Sequence, residues 1–182
     1  AMKSIGKLGS AIMLTAALSA CAVGVKRTPG MNLYTSGDYA AAIPVLTKEV
    51  EAGEVSARYS LGLAYRDGTG VEKDATKAEI LLTGAAIGGD PRAVEEIRKM
   101  LKTENRCAKD KELHDLWGAI GLGNRNIITG VVELYSAPRE SLRKMASIYD
   151  DPCDGRPVQP EAAKSLRSLS GGPRHIWIYV PG

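Results

Sequence analysis

Phenylalanine is absent from this 182-residue chain, histidine occurs twice and cysteine three times. Each scarcity removes a class of chemistry. His114 and His175 stand far apart, and neither has a second ligand three or four residues away, so the spacing of a metal centre is missing. There is no HExxH, no GxSxG elbow, no Walker loop and no CxxC pair. Gly121-Leu122-Gly123 lacks the third glycine and the preceding strand of a dinucleotide turn, and reads as a helix stop. No catalytic residue, metal or cofactor is therefore assigned, and an enzyme is not expected. Charge excess is small as well. Setting aside residues 1–20 removes two lysines and no acids, which leaves 22 basic residues against 21 acidic ones. That balance gives nucleic acid no electrostatic footprint.

What the chain does have begins at its start. Lys3 and Lys7 precede an uncharged stretch, Leu8 to Ala20, with the apolar run Ala11-Ile12-Met13-Leu14-Thr15-Ala16-Ala17-Leu18. A basic start before such a run reads as a secretory signal. The run falls short of the about 20 apolar residues that a transmembrane helix needs. Leu18-Ser19-Ala20-Cys21 resembles the bacterial lipobox, whose cysteine thiol receives a diacylglyceryl group before the signal is cleaved. The resemblance implies lipid attachment at Cys21. With Ala22 and not Asp in the next position, it also implies the periplasmic face of the outer membrane. Contact with the membrane is expected through that lipid alone. Residues 1–20 are thus the signal peptide and 21–30 a tether, with Lys26-Arg27-Thr28-Pro29-Gly30 as linker. A single helical domain follows over residues 31–182.

Alanine and glycine are plentiful, which suits helices that pack closely through small side chains. Asp38 precedes Tyr39-Ala40-Ala41-Ala42-Ile43-Pro44-Val45-Leu46 as an N-cap. Pro44 removes one hydrogen bond, so a slight bend is expected there. Ala57, Leu61, Ala64 and Tyr65 then fall at i, i+4, i+7 and i+8, one face of a helix. Gly68 and Gly70 supply a turn that allows positive φ, and Asp74 caps a second helix with Ala78, Leu81, Leu82, Ala85 and Ala86.

Leu61-Gly62, Tyr65, Gly68-x-Gly70-Val71, Asp74, Lys77-Ala78, Ala85-Ala86, Gly88 and Ala93 together resemble the Sel-one-like repeat, a relative of the tetratricopeptide repeat. The repeat alanine recurs from Ala57 to Ala93, a period of 36. The segment departs from the pattern at Leu81, where tryptophan is common, and at Gly84, where lysine is common. Gly37-Asp38-Tyr39, Ala42, Gly53 and Ala57 resemble the end of a preceding tetratricopeptide-like unit, so the likeness covers about residues 31–93. The clearest repeat is 57–93. It implies an all-α fold, a short α-solenoid of antiparallel helix pairs. One pair cannot bury its own apolar faces, so further pairs must stack on it.

Downstream, apolar periodicity predicts a helix from Pro91 to about Lys102 and another from about Asp110 to Ile120 with Leu113, Leu116 and Trp117 inward. A third is expected around Ile127 to Ser136. A fourth starts at Pro138, and a short one runs from Pro160 to Leu169. The mixed charges Lys109-Asp110-Lys111-Glu112 and Glu95-Glu96 with Arg98-Lys99 read as solvated helix faces, the alternative being a polar rim around a partner protein. After Gly171-Gly172-Pro173, the segment Arg174-His175-Ile176-Trp177-Ile178-Tyr179-Val180-Pro181 is β-branched and aromatic, a short strand or extended tail. It either caps the last helices or presents Arg174, Trp177 and Tyr179 to a partner.

Cys107 and Cys153 remain after Cys21, and in an oxidising compartment two such thiols pair. Closing their loop stabilises a fold by roughly 4 kcal/mol in the chain-entropy model, less any strain. A catalytic or metal-binding cysteine is the other reading, without supporting spacing.

The expected partner is another protein, held on the long surface that a solenoid offers. Envelope lipoproteins with Sel-one-like repeats include immunity proteins against lipase effectors of type VI secretion, and the chain is similar to that class. The alternative is a scaffold lipoprotein of an envelope polysaccharide-secretion assembly.

Overall fold

The computed structural model describes residues 27–123 and 137–171. Among these residues the chain is all helical, with eight α-helices and no strand. They are α1 (Pro29–Thr35), α2 (Tyr39–Glu51), α3 (Val55–Asp67), α4 (Ala75–Ile87), α5 (Pro91–Glu104), α6 (Ala108–Gly123), α7 (Arg139–Asp150) and α8 (Pro160–Gly171). Each helix packs against the next along the chain, the arrangement of a short helical-repeat solenoid, and α8 also returns to touch α4. The helix expected at Ile127–Ser136, the C-terminal strand or tail and the Cys21 segment lie outside the described residues.

The repeat is visible in how helices end. At Gly37, Gly53 and Gly89 the glycine has a positive φ of 87°, 89° and 93°. In each case its N–H donates to the carbonyl three residues back, and the next residue's N–H donates to the carbonyl five back. This is the Schellman ending, which the left-handed glycine makes accessible at no steric cost. Gly53 and Gly89 are one 36-residue period apart. The next helix starts at once in each case. Asp38 accepts from Ala41 N–H at 3.2 Å and Asp74 from Lys77 N–H at 2.9 Å, so both caps form as expected. Helix α2 continues through Pro44.

Two boundaries and the burial of one residue differ from expectation. Helix α1 begins at Pro29, inside the presumed linker, because Thr28 caps it: its hydroxyl accepts from Met31 N–H and donates to Glu49 at 2.6 Å. Helix α6 runs through Gly121 to Gly123 and does not stop at Ile120. A glycine costs a helix only about 1 kcal/mol, which is too little to end one anchored by the buried Leu113, Trp117 and Ile120. The third concerns charge, since Asp110 is not on a solvated face but is 1% exposed.

The core divides in two. Ala42 and Leu46 of α2 meet Ala57 and Leu61 of α3 in one small cluster. A larger one runs from Leu82 on α4 through Ile97, Trp117, Leu142, Met145 and Tyr149 to Leu166 on α8. Gly62 allows α3 and α4 to approach, since a Cβ there would sit 2.9 Å from Leu82 Cγ.

Candidate docking groove

Helix α4 carries Ile80-Leu81-Leu82. Successive residues are turned about 100° from each other, so three in a row cannot all face one core. Leu82 is fully buried, Leu81 half-buried, and Ile80 is left 45% exposed. Opposite them, the connection from α7 to α8 presents Val158, 59% exposed, and Pro160 opens α8 with Ala162 and Ser165 facing the same space. Between the two sides lies an apolar groove of about 340 Å³, with Arg58 and Glu161 also on its lining. Gly84 leaves it open: a Cβ added there would meet only the Arg58 side chain, at 3.6 Å or more. Leu81 and Gly84, the two departures from the repeat pattern, are both groove residues.

Val158 is exposed although its neighbours are fixed. Arg156 and Gln159 on either side of it are buried, and Gln159 N–H donates to the Tyr149 carbonyl at 2.9 Å. The Arg156 guanidinium grips Asp110 with two bonds, Nε to Oδ1 at 2.6 Å and Nη2 to Oδ2 at 3.1 Å. Its Nη1 reaches Glu79 Oε2 at 3.0 Å, and Glu104 lies at 3.5 Å. Asp110 also accepts from Arg106 N–H at 2.7 Å. One cation thus joins α4, α5 and α6 to the α7–α8 connection. Burial pushes the Glu79 carboxyl above its ordinary range, against the pull of Arg156.

The disulfide closes the same region. Cys107 and Cys153 are joined, with Cα atoms 5.9 Å apart and a sequence separation of 46. Trp117 is a core residue, fully buried, its indole N–H donating to Tyr149 Oη at 2.9 Å. Burial raises the Tyr149 phenol well above its ordinary range, so it remains a hydroxyl. His114 is half-buried and bonds Asp115 at 3.0 Å. Among the described residues no group of three or more His, Cys, Asp or Glu could hold a metal ion, and no helix is long and apolar enough to cross a membrane.

Of the residues singled out from sequence, the structure brings together Cys107 and Cys153. Cys21, Arg174, Trp177 and Tyr179 lie outside the described residues. Ile80, Val158 and the Arg156 cluster were not foreseen. A signal for Ile80 existed in the apolar triplet of α4, which forces one member outward. For Arg156 there was none, because its partners are 46 and 77 residues away. No family model, no curated protein and no solved structure matches the chain.

Proposed function

We propose that the chain is a non-enzymatic binding protein of the bacterial envelope, anchored by lipid at Cys21 on the periplasmic face of the outer membrane, and that the α4–α8 groove receives its protein partner. The observation that carries the binding role is the pair Ile80 and Val158, large apolar side chains left in water on a pinned framework. Surfaces of that kind mark interaction sites, and a framework ordered beforehand spares the partner the entropy of ordering it.

The specific role is an immunity protein that binds and neutralises a secreted toxic effector, of the lipase type delivered by type VI secretion. The resemblance of residues 57–93 to the Sel-one-like repeat and of Leu18–Cys21 to the lipobox supports it. A lipid anchor places an inhibitor on the membrane that a lipase attacks, and several acyl chains on one residue hold a protein there stably. In the test, cells that make this chain are challenged with the effector encoded beside it. Survival, with co-purification of the effector, is the expected result, and Cys21→Ser is expected to lose both acylation and most protection. Equal killing with and without the chain would overturn the role.

A further inference from the structure

We propose that the partner segment entering the α4–α8 groove carries a carboxylate, Asp or Glu, with apolar side chains on both sides of it, and that Arg58 reads that carboxylate. The proposal rests on the reading of the groove as a docking surface and states what a partner must present to it.

The observation is a cation without a counter-charge. Arg66, Arg92, Arg98, Arg106 and Arg156 are each paired with a carboxylate. Arg58, on α3 and half-buried, is paired with none among the described residues. Its side chain lies along α4 at Gly84, where an added Cβ would stand 3.6 Å from Cδ and 3.7 Å from Nη1. The side chain that Gly84 lacks is thus what gives Arg58 its place on the groove lining. Glu161, on the opposite wall, is 87% exposed and stands 3.9 Å from Lys164, so it leaves Arg58 unpaired. A guanidinium offers a rigid fork of donors that fits a carboxylate with two parallel bonds. Partly withdrawn from water, such a pair is screened less than one on an open surface.

The position of the cation selects the shape of what binds. Ile80, Gly84 and Ile87 fall at i, i+4 and i+7, one strip of α4, and all three line the groove. Along the helix axis Gly84 is about 6 Å from Ile80 and about 4.5 Å from Ile87, at about 1.5 Å per residue. Arg58 therefore sits partway along an apolar strip, faced across the groove by Val158, Pro160 and Ala162. A fatty acid, charged at one end, covers the strip on one side of Arg58 only. A peptide segment with its acid in the middle covers both sides and pairs the cation as well.

The test needs no identified partner. Short random peptides displayed on phage are selected against the immobilised full chain and against Ile80→Asp, Arg58→Leu and Arg58→Glu. Arg58 has no ion pair to lose and Ile80 is exposed, so the variants should keep the wild-type unfolding midpoint. Peptides whose capture depends on Ile80 are expected to carry Asp or Glu between apolar residues. Synthetic copies of them should bind Arg58→Leu about tenfold more weakly, the loss of a hydrogen bond to a charged group. Arg58→Glu should select lysine or arginine at that place instead. Ile80-dependent peptides with no acidic position, or with one whose affinity is unchanged in Arg58→Leu, would overturn the proposal and leave the groove a docking surface. If no peptide depends on Ile80, both readings fall. Two further measurements cover the other occupants. Arg58-dependent binding of sodium decanoate without acid-centred peptides would assign the groove to a fatty acid, and a dimer by light scattering that Ile80→Asp dissolves would assign it to a second copy; either overturns the proposal. The immunity role is decided separately, by the protection assay.

Discussion

The region from α1 to α3 and the region from α4 to α8 are held together by different means. In the first, two alanines and two leucines form the packed centre, caps and left-handed glycines act within a few residues of themselves, and the longer side-chain bonds, Thr28 to Glu49 and Tyr34 to Thr69, span 21 and 35 residues. In the second, Trp117, Met145 and Tyr149 fill a larger core, and its ties bridge long stretches of chain: 46 residues for the disulfide, 77 for Arg156 to Glu79. A repeat needs only its neighbour, so local signals suffice for it. The α4–α8 region is fixed by links between residues far apart in the chain, and the groove forms where the α7–α8 connection and α8 come back to α4.

The contrast can be broken most severely at Arg156. Arg156→Met leaves Glu79 and Asp110 without their cation and should cost about 3–5 kcal/mol, read as a fall in the urea midpoint. Loss of the Cys107–Cys153 bond by paired serine substitution should cost about 2–4 kcal/mol, and native-state hydrogen exchange should locate the loosening in α6 to α8 and spare α1 to α3. Uniform loosening would contradict the division. In the first region, Gly62→Ala should cost only about 1 kcal/mol, since a crowding penalty of about 2 against Leu82 is offset by about 1 of helix propensity. Its largest effect on exchange should fall at the α3–α4 contact.

The smallest effect is expected at Glu79 and depends on pH. Burial raises the folded pKa of this carboxyl above its unfolded value, so its favourable contribution is fully present below the unfolded value and is lost as pH rises through the folded one. At neutral pH, Glu79→Gln should therefore change stability by less than about 1 kcal/mol, while Arg156→Met does not share this tolerance. As pH falls into the carboxylate range the wild type should gain on the glutamine variant. A gap that widens in favour of glutamine as pH falls would show that Arg156, and not burial, dominates at Glu79.

Legibility in the sequence followed the same division. Asp38, Asp74, Gly68 and Gly70 announced their caps and turns because each acts on backbone groups close by. Cys107 and Cys153 were readable as a pair, since only two thiols remained once Cys21 was set aside. Asp110 was misread as solvated because its neighbours are charged, and helical period alone does not reveal a cation 46 residues on. The groove was hidden for a related reason. Ile80 could be seen to be surplus to one core, but what stands opposite it depends on where the α7–α8 connection is pinned, which no local pattern encodes.

The groove's role as a docking surface is tested most directly by the protection assay with Ile80→Asp and Val158→Asp. Either variant is expected to keep its thermal unfolding midpoint and its membrane association, yet to lose co-purification of the effector and the survival it confers. Full protection by both variants, at wild-type expression, would contradict it.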